Sequence, residues 1–243
     1  MRPPTLTHLK KVFWPAEQYT KGDLVAYYER IAPILLPYLK DRPQNLHRYP
    51  DGIRGEDFYQ RDIESPPPGV KTIVIHSEED HKPARYIVCQ NTHTLLYLAN
   101  LGCIELNPFH ARIGKLDYPD YMVIDLDPQN ISFDTVIETA LAVKEILDRV
   151  GAQSYCKTSG AAGIHIYVPL GALYKTEWVK DCAELVVELA HQTTSRFTSL
   201  TRDPHKRPGK VYLDYLQNRV HQSLAAAYSV RPYPHATVST PLE

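Results

Sequence analysis

Three short segments hold the side chains best suited to chemistry: Tyr121-Met122-Val123-Ile124-Asp125-Leu126-Asp127-Pro128, Thr158-Ser159-Gly160-Ala161-Ala162-Gly163-Ile164-His165, and Val211-Tyr212-Leu213-Asp214-Tyr215-Leu216-Gln217-Asn218. The first and third set carboxylates into apolar, strand-like runs, where an unpaired charge is costly to bury. Residues two apart in a strand share a face, roughly 6.5–7 Å from Cα to Cα. Asp125 and Asp127 therefore point one way and Leu126 the other. Carboxylates at that spacing can bridge hard divalent cations, which prefer oxygen ligands. Two such ions about 3.5–4 Å apart clamp the attacking and leaving oxygens of an in-line phosphoryl displacement. Asp214, on a separate predicted strand, closes the cluster. Taken alone, the Asp125–Asp127 segment also fits a strand end entering a turn, and Asp214 alone fits a carboxylate paired with a nearby arginine.

The middle segment supplies a turn. Glycine tolerates positive φ and lets backbone approach a ligand closely, and successive N–H groups in such a turn form an anion-binding concavity. Ser159 adds a hydroxyl and His165 an imidazole, both able to donate to a phosphate oxygen. An ordinary hairpin turn with a packed histidine is the plain alternative. Carboxylates beside a phosphate-sized turn make a metal–nucleotide site.

These motifs need a scaffold, and the hydrophobic periodicity provides one. Residues 23–40 read as a helix through Leu24, Tyr27, Tyr28, Ile31 and Leu35, entered at Thr20 or Lys21 and ended by Arg42-Pro43. Strands are predicted at 45–49, 72–76 and 85–90, the last two flanking a solvated acidic hairpin tip at 78–80. A short helix over 92–100 is closed by Gly102. Then come strand 121–127, helix 132–149 stopped by Gly151, strands 153–157 and 164–169, helix 176–196 and strand 210–217. Strand, helix, strand, strand, helix, strand is the order of a split βαβ unit, as in RNA-recognition folds, and it sets Asp125, Asp127 and Asp214 on neighbouring strands. The predicted class is α/β (α+β): such a core plus an N-terminal α/β module. The expected organisation is one domain, 1–243, with an N-terminal module over 1–115 and a catalytic module over 116–243.

Leu6-Thr7-His8, Lys11-Val12-Phe13-Trp14-Pro15, Thr20-Lys21-Gly22, Asp125-Leu126-Asp127-Pro128, Ser159-Gly160, Gly163-Ile164-His165-Ile166-Tyr167, Gly209-Lys210-Val211, Asp214, Gln217-Asn218 and Tyr228-Ser229-Val230-Arg231-Pro232 follow in order along the chain. In this succession the sequence closely resembles the polymerase (primase-like) domain of bacterial-type DNA ligase D, a branch of the archaeo-eukaryotic primase superfamily, from about Leu6 to Leu242. The resemblance implies a nucleotidyltransferase adding ribo- or deoxyribonucleotides to DNA 3′ ends or gaps in non-homologous end joining. It implies that Asp125, Asp127 and Asp214 bind two divalent ions, Mn2+ or Mg2+. It assigns Ser159, Gly160, His165 and Arg231, with Arg207, Arg48 and Asn107, to the incoming NTP or dNTP. Lys11 and Lys21 map to a grip on the 5′-phosphate at a break, where Lys21, near a helix start, gains from backbone that favours anions. A solvated surface role is the alternative for both lysines. Phe58 and Tyr59 map to an aromatic pair that stacks on template bases, with burial in a core as the competing reading. The implied partners are 5′-phosphorylated ends, gaps and primer–template DNA, with separately encoded ligase and end-binding proteins.

Three positions depart from the family pattern. Asn107 stands where many members have a histidine, with His110 three residues on. Ala161-Ala162 lack the basic residue some members carry, and His47 replaces a lysine found in some. Weaker triphosphate binding or altered pH dependence is the expected consequence, since an asparagine hydrogen-bonds but carries no charge. Two other classes remain: a non-catalytic DNA-end-binding module, and a metal-dependent nucleotide-sugar glycosyltransferase, in which Asp-x-Asp also holds manganese. The latter leaves Asp214, the Ser-Gly turn and the basic N-terminus without work.

At 243 residues, with 27 Lys+Arg against 28 Asp+Glu, the chain is near neutral, so any nucleic-acid contact depends on a local basic patch such as His8, Lys10, Lys11 and Lys21. Cys89, Cys103, Cys156 and Cys182 have no metal-ligand spacing and are expected to be reduced and buried. No signal-peptide pattern precedes Lys10, and no apolar run reaches the 18 or more residues of a membrane span. A cytoplasmic, membrane-free protein is expected.

Overall fold

The computed structural model describes residues 4–76 and 82–242, so the acidic tip expected at 78–80 lies outside the described residues. The chain forms two compact units, Met1–Ile113 with Ser223–Ser239, and Gly114–Gln222 with Thr240–Glu243. Residues 223–239, which the sequence reading assigned to the C-terminal module, thus return to the first unit. Bonds to the rest of that unit seat them there: Ala226 N donates to the Leu106 carbonyl (2.9 Å), and Val230 N to the Tyr28 hydroxyl (3.1 Å).

In the first unit, β1 (Val12–Trp14) pairs with β2 (Tyr19–Thr20), which leads into α1 (Lys21–Leu39). Thr20 and Asp23 form a capping box. Leu24, Val25, Tyr28, Ala32, Leu35 and Leu39 recur at helical spacing and are buried, while Pro33 and Pro37 face solvent. β3 (Gln44–Arg48) lies between β4 (Phe58–Gln60) and β7 (Cys103–Pro108) in an antiparallel sheet, and β5 (Lys71–His76) pairs with β6 (Pro83–Val88). α2 (Thr92–Asn100) starts at Asn91, whose side chain accepts from Thr94 N (2.9 Å), and ends at Gly102, where φ is +83°. Helix α1, helix α2 and strand β7 enclose one apolar core.

The second unit is a five-stranded sheet under two helices. Its elements are β8 (Tyr121–Gln129), α3 (Phe133–Arg149), β9 (Tyr155–Thr158), β10 (Ile164–Pro169), α4 (Thr176–Thr194), β11 (Thr198–Ser199) and β12 (Lys210–Asp214). The sheet order is β11-β12-β8-β10-β9. Without the short β11 this is the split βαβ order expected from the sequence. Alternation divides its faces. Met122, Ile124, Leu126, Ile164, Ile166, Val168, Val211 and Leu213 join Val136, Val143, Val179, Ala183 and Val187 of α3 and α4 in a second core. The intervening residues occupy the opposite face, and Asp125, Asp127, His165 and Asp214 are among them.

Two expectations need correction. The last strand stops at Asp214 rather than 217, because the Asp214 carboxylate takes the Leu216 N–H (2.8 Å) and starts a 3-10 turn over Leu216–Asn218. Cys182 is exposed on α4 and Cys156 half-buried, so only Cys89 and Cys103 are buried thiols; all four are free. Among the described residues no helix is long and apolar enough to cross a membrane.

Candidate active site

Strand register assembles the carboxylates. Asp125 on β8 lies opposite Asp214 on β12 and opposite His165 on β10, while Asp127 lies opposite Tyr212. Directly opposed residues share a face. One carboxylate oxygen from each of Asp125, Asp127 and Asp214 lies within 4.8 Å of the others, the one such group of potential metal ligands among the described residues. Asp125 and Asp214 are buried and Asp127 is exposed, which leaves the cluster open on one side. Three hard oxygen donors this close fit a divalent cation and would repel one another without one.

The surroundings hold these groups in place. Asp214 accepts from the Tyr212 hydroxyl (3.3 Å), Leu216 N (2.8 Å) and Gln217 Nε2 (3.2 Å). Burial, with the Asp214 carboxylate beside it, pushes the Tyr212 phenol up, so it stays a donor. Asn218 takes the Val123 N–H on its Oδ1 (2.8 Å) and donates to the Val123 carbonyl (2.6 Å), replacing the strand partner that β12 no longer supplies. Arg207 donates to the Asp127 carbonyl (3.0 Å) and sits 4.4 Å from the Tyr212 ring centroid. Its buried Nε has no hydrogen-bond partner among the described residues.

The Ser-Gly turn is built differently from an open anion nest. Ser159 Oγ accepts from Ala161 N (3.1 Å) and Gly163 N (3.0 Å), so two N–H groups of the turn point inward to the serine. Gly160 has φ +74°. At Gly163 a Cβ would stand 2.1 Å from the Leu126 carbonyl oxygen. Only glycine lets the turn come this close to the strand between Asp125 and Asp127.

The remaining candidates belong to the first unit and form two groups. Around Glu105, which is 6% exposed, Arg231 Nε donates to Oε2 (2.9 Å), while His47 Nδ1 (3.1 Å) and Asn107 Nδ2 (3.1 Å) meet Oε1. Burial raises the Glu105 carboxyl, but the bond from His47, the Arg231 charge and the Asn107 amide outweigh it and hold it below its usual range. Burial likewise opposes the His47 imidazolium, yet Glu105 on one nitrogen and Asp57 on the other (2.8 Å) raise its pKa. His110 is buried, and its carbonyl accepts from Arg42 (2.6 Å).

The second group is basic. Lys11 pairs with Asp51, and the buried Lys21 ammonium donates to the Thr7 carbonyl (2.8 Å). Burial and then the nearby Lys11 and Arg48 charges lower the Lys21 pKa. The start of α1 offers less to an anion than expected: Lys21 N donates to the Lys11 carbonyl (2.8 Å) and Gly22 N to that of Leu9 (2.8 Å). Arg48 holds the Leu101 carbonyl (3.0 Å) and Gln60 Oε1 (2.8 Å). Phe58 and Tyr59 are 44% and 65% exposed, which excludes the core reading. Tyr59 stacks on the His47 ring (4.1 Å, 16° between planes), and Phe58 faces the Arg48 guanidinium (5.1 Å).

Sequence reasoning missed Glu105, Lys157 and Tyr212. Glu105 carried the signal that singled out Asp125 and Asp214, a carboxylate within an apolar strand. Lys157 and Tyr212 each stand two residues before a chosen group, and Tyr212 shares its strand face with Asp214.

The family model described as LigD, primase-polymerase domain, matches residues 20–243. The chain is 33% identical over 240 residues to the multifunctional non-homologous end joining protein LigD of Pseudomonas aeruginosa, covering 98% of this chain and 28% of that protein. It is 32% identical over 239 residues to the bifunctional non-homologous end joining protein LigD of Bacillus subtilis, covering 97% and 38%. The chain therefore spans well under half the length of these curated relatives. Among solved structures, it is similar to the polymerase domain from Mycobacterium tuberculosis ligase D in complex with DNA: TM-score 0.93, 26% identity, 100% of this chain and 88% of that one.

Proposed function

The chain belongs to the LigD primase-polymerase domain family, and on that premise we propose that it is a divalent-metal-dependent nucleotidyltransferase extending DNA 3′ ends and filling gaps during end joining. The observation that carries this reading is the convergence of Asp125, Asp127 and Asp214 from two paired strands on one open sheet face. Those carboxylates would hold two ions, Mn2+ or Mg2+. When bound, the ions neutralise charge developing on the attacking and leaving oxygens. Tyr212, Leu216 N and Gln217 keep Asp214 aimed at the cluster.

Ser159, Gly160 and His165, beside the carboxylates, are assigned to the triphosphate, with Arg207 and its buried Nε close by. Arg231, Asn107 and Arg48 are assigned to the same NTP or dNTP on the family resemblance. Lys11 and Lys21 are assigned to the DNA 5′-phosphate; burial first, and then the neighbouring Lys11 and Arg48 charges, lower the Lys21 pKa, and an arriving anion would relieve the repulsive part. The exposed rings of Phe58 and Tyr59 offer stacking surfaces worth about 1–3 kcal/mol per base. DNA with 5′-phosphorylated ends, gaps or a primer–template junction is the proposed partner, separately encoded ligase and end-binding proteins the proposed company, and the cytoplasm the proposed site of action.

The test is extension of a gapped duplex, with and without a 5′-phosphate, in Mn2+ and in Mg2+. Asp127→Ala is expected to abolish extension and leave DNA binding, read by fluorescence anisotropy, nearly unchanged. The Lys11→Ala, Lys21→Ala double variant is expected to erase the preference for the phosphorylated end. A wild-type protein that binds 5′-phosphorylated DNA but extends nothing in either metal would reject the catalytic reading.

A further inference from the structure

Lys157 is nine-tenths buried and has no role in the scheme above. It lies on β9 opposite His165 on β10, which lies opposite Asp125 on β8. The three side chains form one row across the active face, and Lys157 and His165 are 4% and 3% exposed. Lys157 Nζ is 2.7 Å from His165 Nδ1, and His165 Nε2 is 3.4 Å from Asp125 Oδ1. The ammonium also stands 5.7 Å from the Tyr167 ring centroid, a weak cation–π contact that helps a buried charge persist.

An ammonium has three hydrogens and no acceptor. At 2.7 Å from Nδ1 it donates, so Nδ1 must present its lone pair. The ring proton then resides on Nε2, the nitrogen directed toward Asp125 and the metal cluster. With the opposite tautomer, an N–H would face an N–H at Lys157 and a bare lone pair would face the carboxylate.

We propose that Lys157 is a positioning residue that fixes His165 as its Nε2–H tautomer, so that the imidazole presents a hydrogen-bond donor to the triphosphate. This rests on the nucleotide role proposed for His165, but the tautomer itself is measurable without turnover.

The test uses the full chain labelled with 15N, reading the His165 ring nitrogens by long-range proton–nitrogen correlation and assigning them with His165→Gln. The expected wild-type pattern is a protonated Nε2 and an unprotonated, hydrogen-bonded Nδ1. Lys157→Met should give a mixture of tautomers or the reverse one, while Lys157→Arg, which keeps a donor, should retain the wild-type pattern. In primer extension with ATP, Lys157→Met should raise KM about tenfold or more with a smaller change in kcat, the scale of one lost hydrogen bond to a charged group. In the His165→Gln background the same substitution should add little. A protonated Nδ1 in the wild type overturns the proposal even if Lys157→Met fails to fold. So do an unchanged tautomer in Lys157→Met, an unchanged KM, or an undiminished effect without His165. A wild type that shows the tautomer but extends no primer would refute the polymerase reading and leave the Lys157–His165 contact standing.

Discussion

The Glu105 cluster makes a prediction with a defined pH signature. Both His47 nitrogens face carboxylates, Glu105 at 3.1 Å and Asp57 at 2.8 Å, and only the imidazolium can donate to both. A full charge pair 3.1 Å apart gains about 5 kcal/mol of Coulomb energy at an effective dielectric of about 20. Desolvating two mostly buried groups takes back much of it, leaving about 1.5–3 kcal/mol for a hydrogen bond to a charged group. Glu105, with its pKa lowered by folding, contributes stability above an unfolded value of about 4.5 and loses it as pH falls through the folded pKa. His47, with its pKa raised, contributes fully below about 6.5 and loses it as pH rises through the folded pKa. Both contributions are complete between about pH 4.5 and 6.5. Glu105→Ala should cost about 3–5 kcal/mol in that window, because it takes a buried carboxylate from both Arg231 and the imidazolium and leaves the imidazolium only Asp57. Once the pH has passed the folded His47 pKa, only the Arg231 pair and the neutral hydrogen bonds are lost, and the cost should fall. The chain has two tryptophans, and Trp14 is buried in the unit that holds Glu105 while Trp178 lies on α4. Urea titration in a Trp178→Phe background, followed by Trp14 fluorescence, therefore reports on the right unit. A double-mutant cycle of Glu105→Gln with His47→Gln should give a coupling of about 2 kcal/mol near pH 5.5 and about half that or less near pH 9. Equal coupling at the two pH values would refute the charged-pair account.

Gly163→Ala should lower Mn2+ affinity, measured by calorimetry, and destabilise the second unit by about 1–3 kcal/mol or more, because its Cβ would collide with the Leu126 carbonyl between Asp125 and Asp127, the proposed metal ligands; unchanged affinity would count against the close approach. Tyr28→Phe should cost about 1–3 kcal/mol in urea unfolding, since the Tyr28 hydroxyl donates to the Ile104 carbonyl (2.6 Å) and accepts from Val230 N (3.1 Å). A loss below about 0.5 kcal/mol would mean that this bridge does not hold the returning segment.

The acidic face was legible because period-two alternation is written in each strand separately. Asp125 and Asp127 flank Leu126, and Asp214 follows Leu213, so each short segment declares which residues share a face before any pairing is known. The split βαβ order then needed only the lengths and spacing of the elements. Residues 223–239 were beyond such reasoning, since they are placed by long-range bonds such as Ala226 N to the Leu106 carbonyl (2.9 Å) rather than by a periodic pattern. The polar neighbours of a motif were also hidden, because what an N–H or carboxylate donates to or accepts from depends on groups far away in sequence. Ser159 gathers the Ala161 and Gly163 N–H groups, and the Lys11 and Leu9 carbonyls occupy the first N–H groups of α1. Both findings shift the burden of anion binding from backbone to side chains. If these N–H groups stay where they are, the phosphate recognition proposed above falls to His165 and Arg207 in one unit and to Lys11, Lys21 and Arg48 in the other. Side-chain recognition of that kind should respond to single substitutions and to salt more steeply than a backbone nest would.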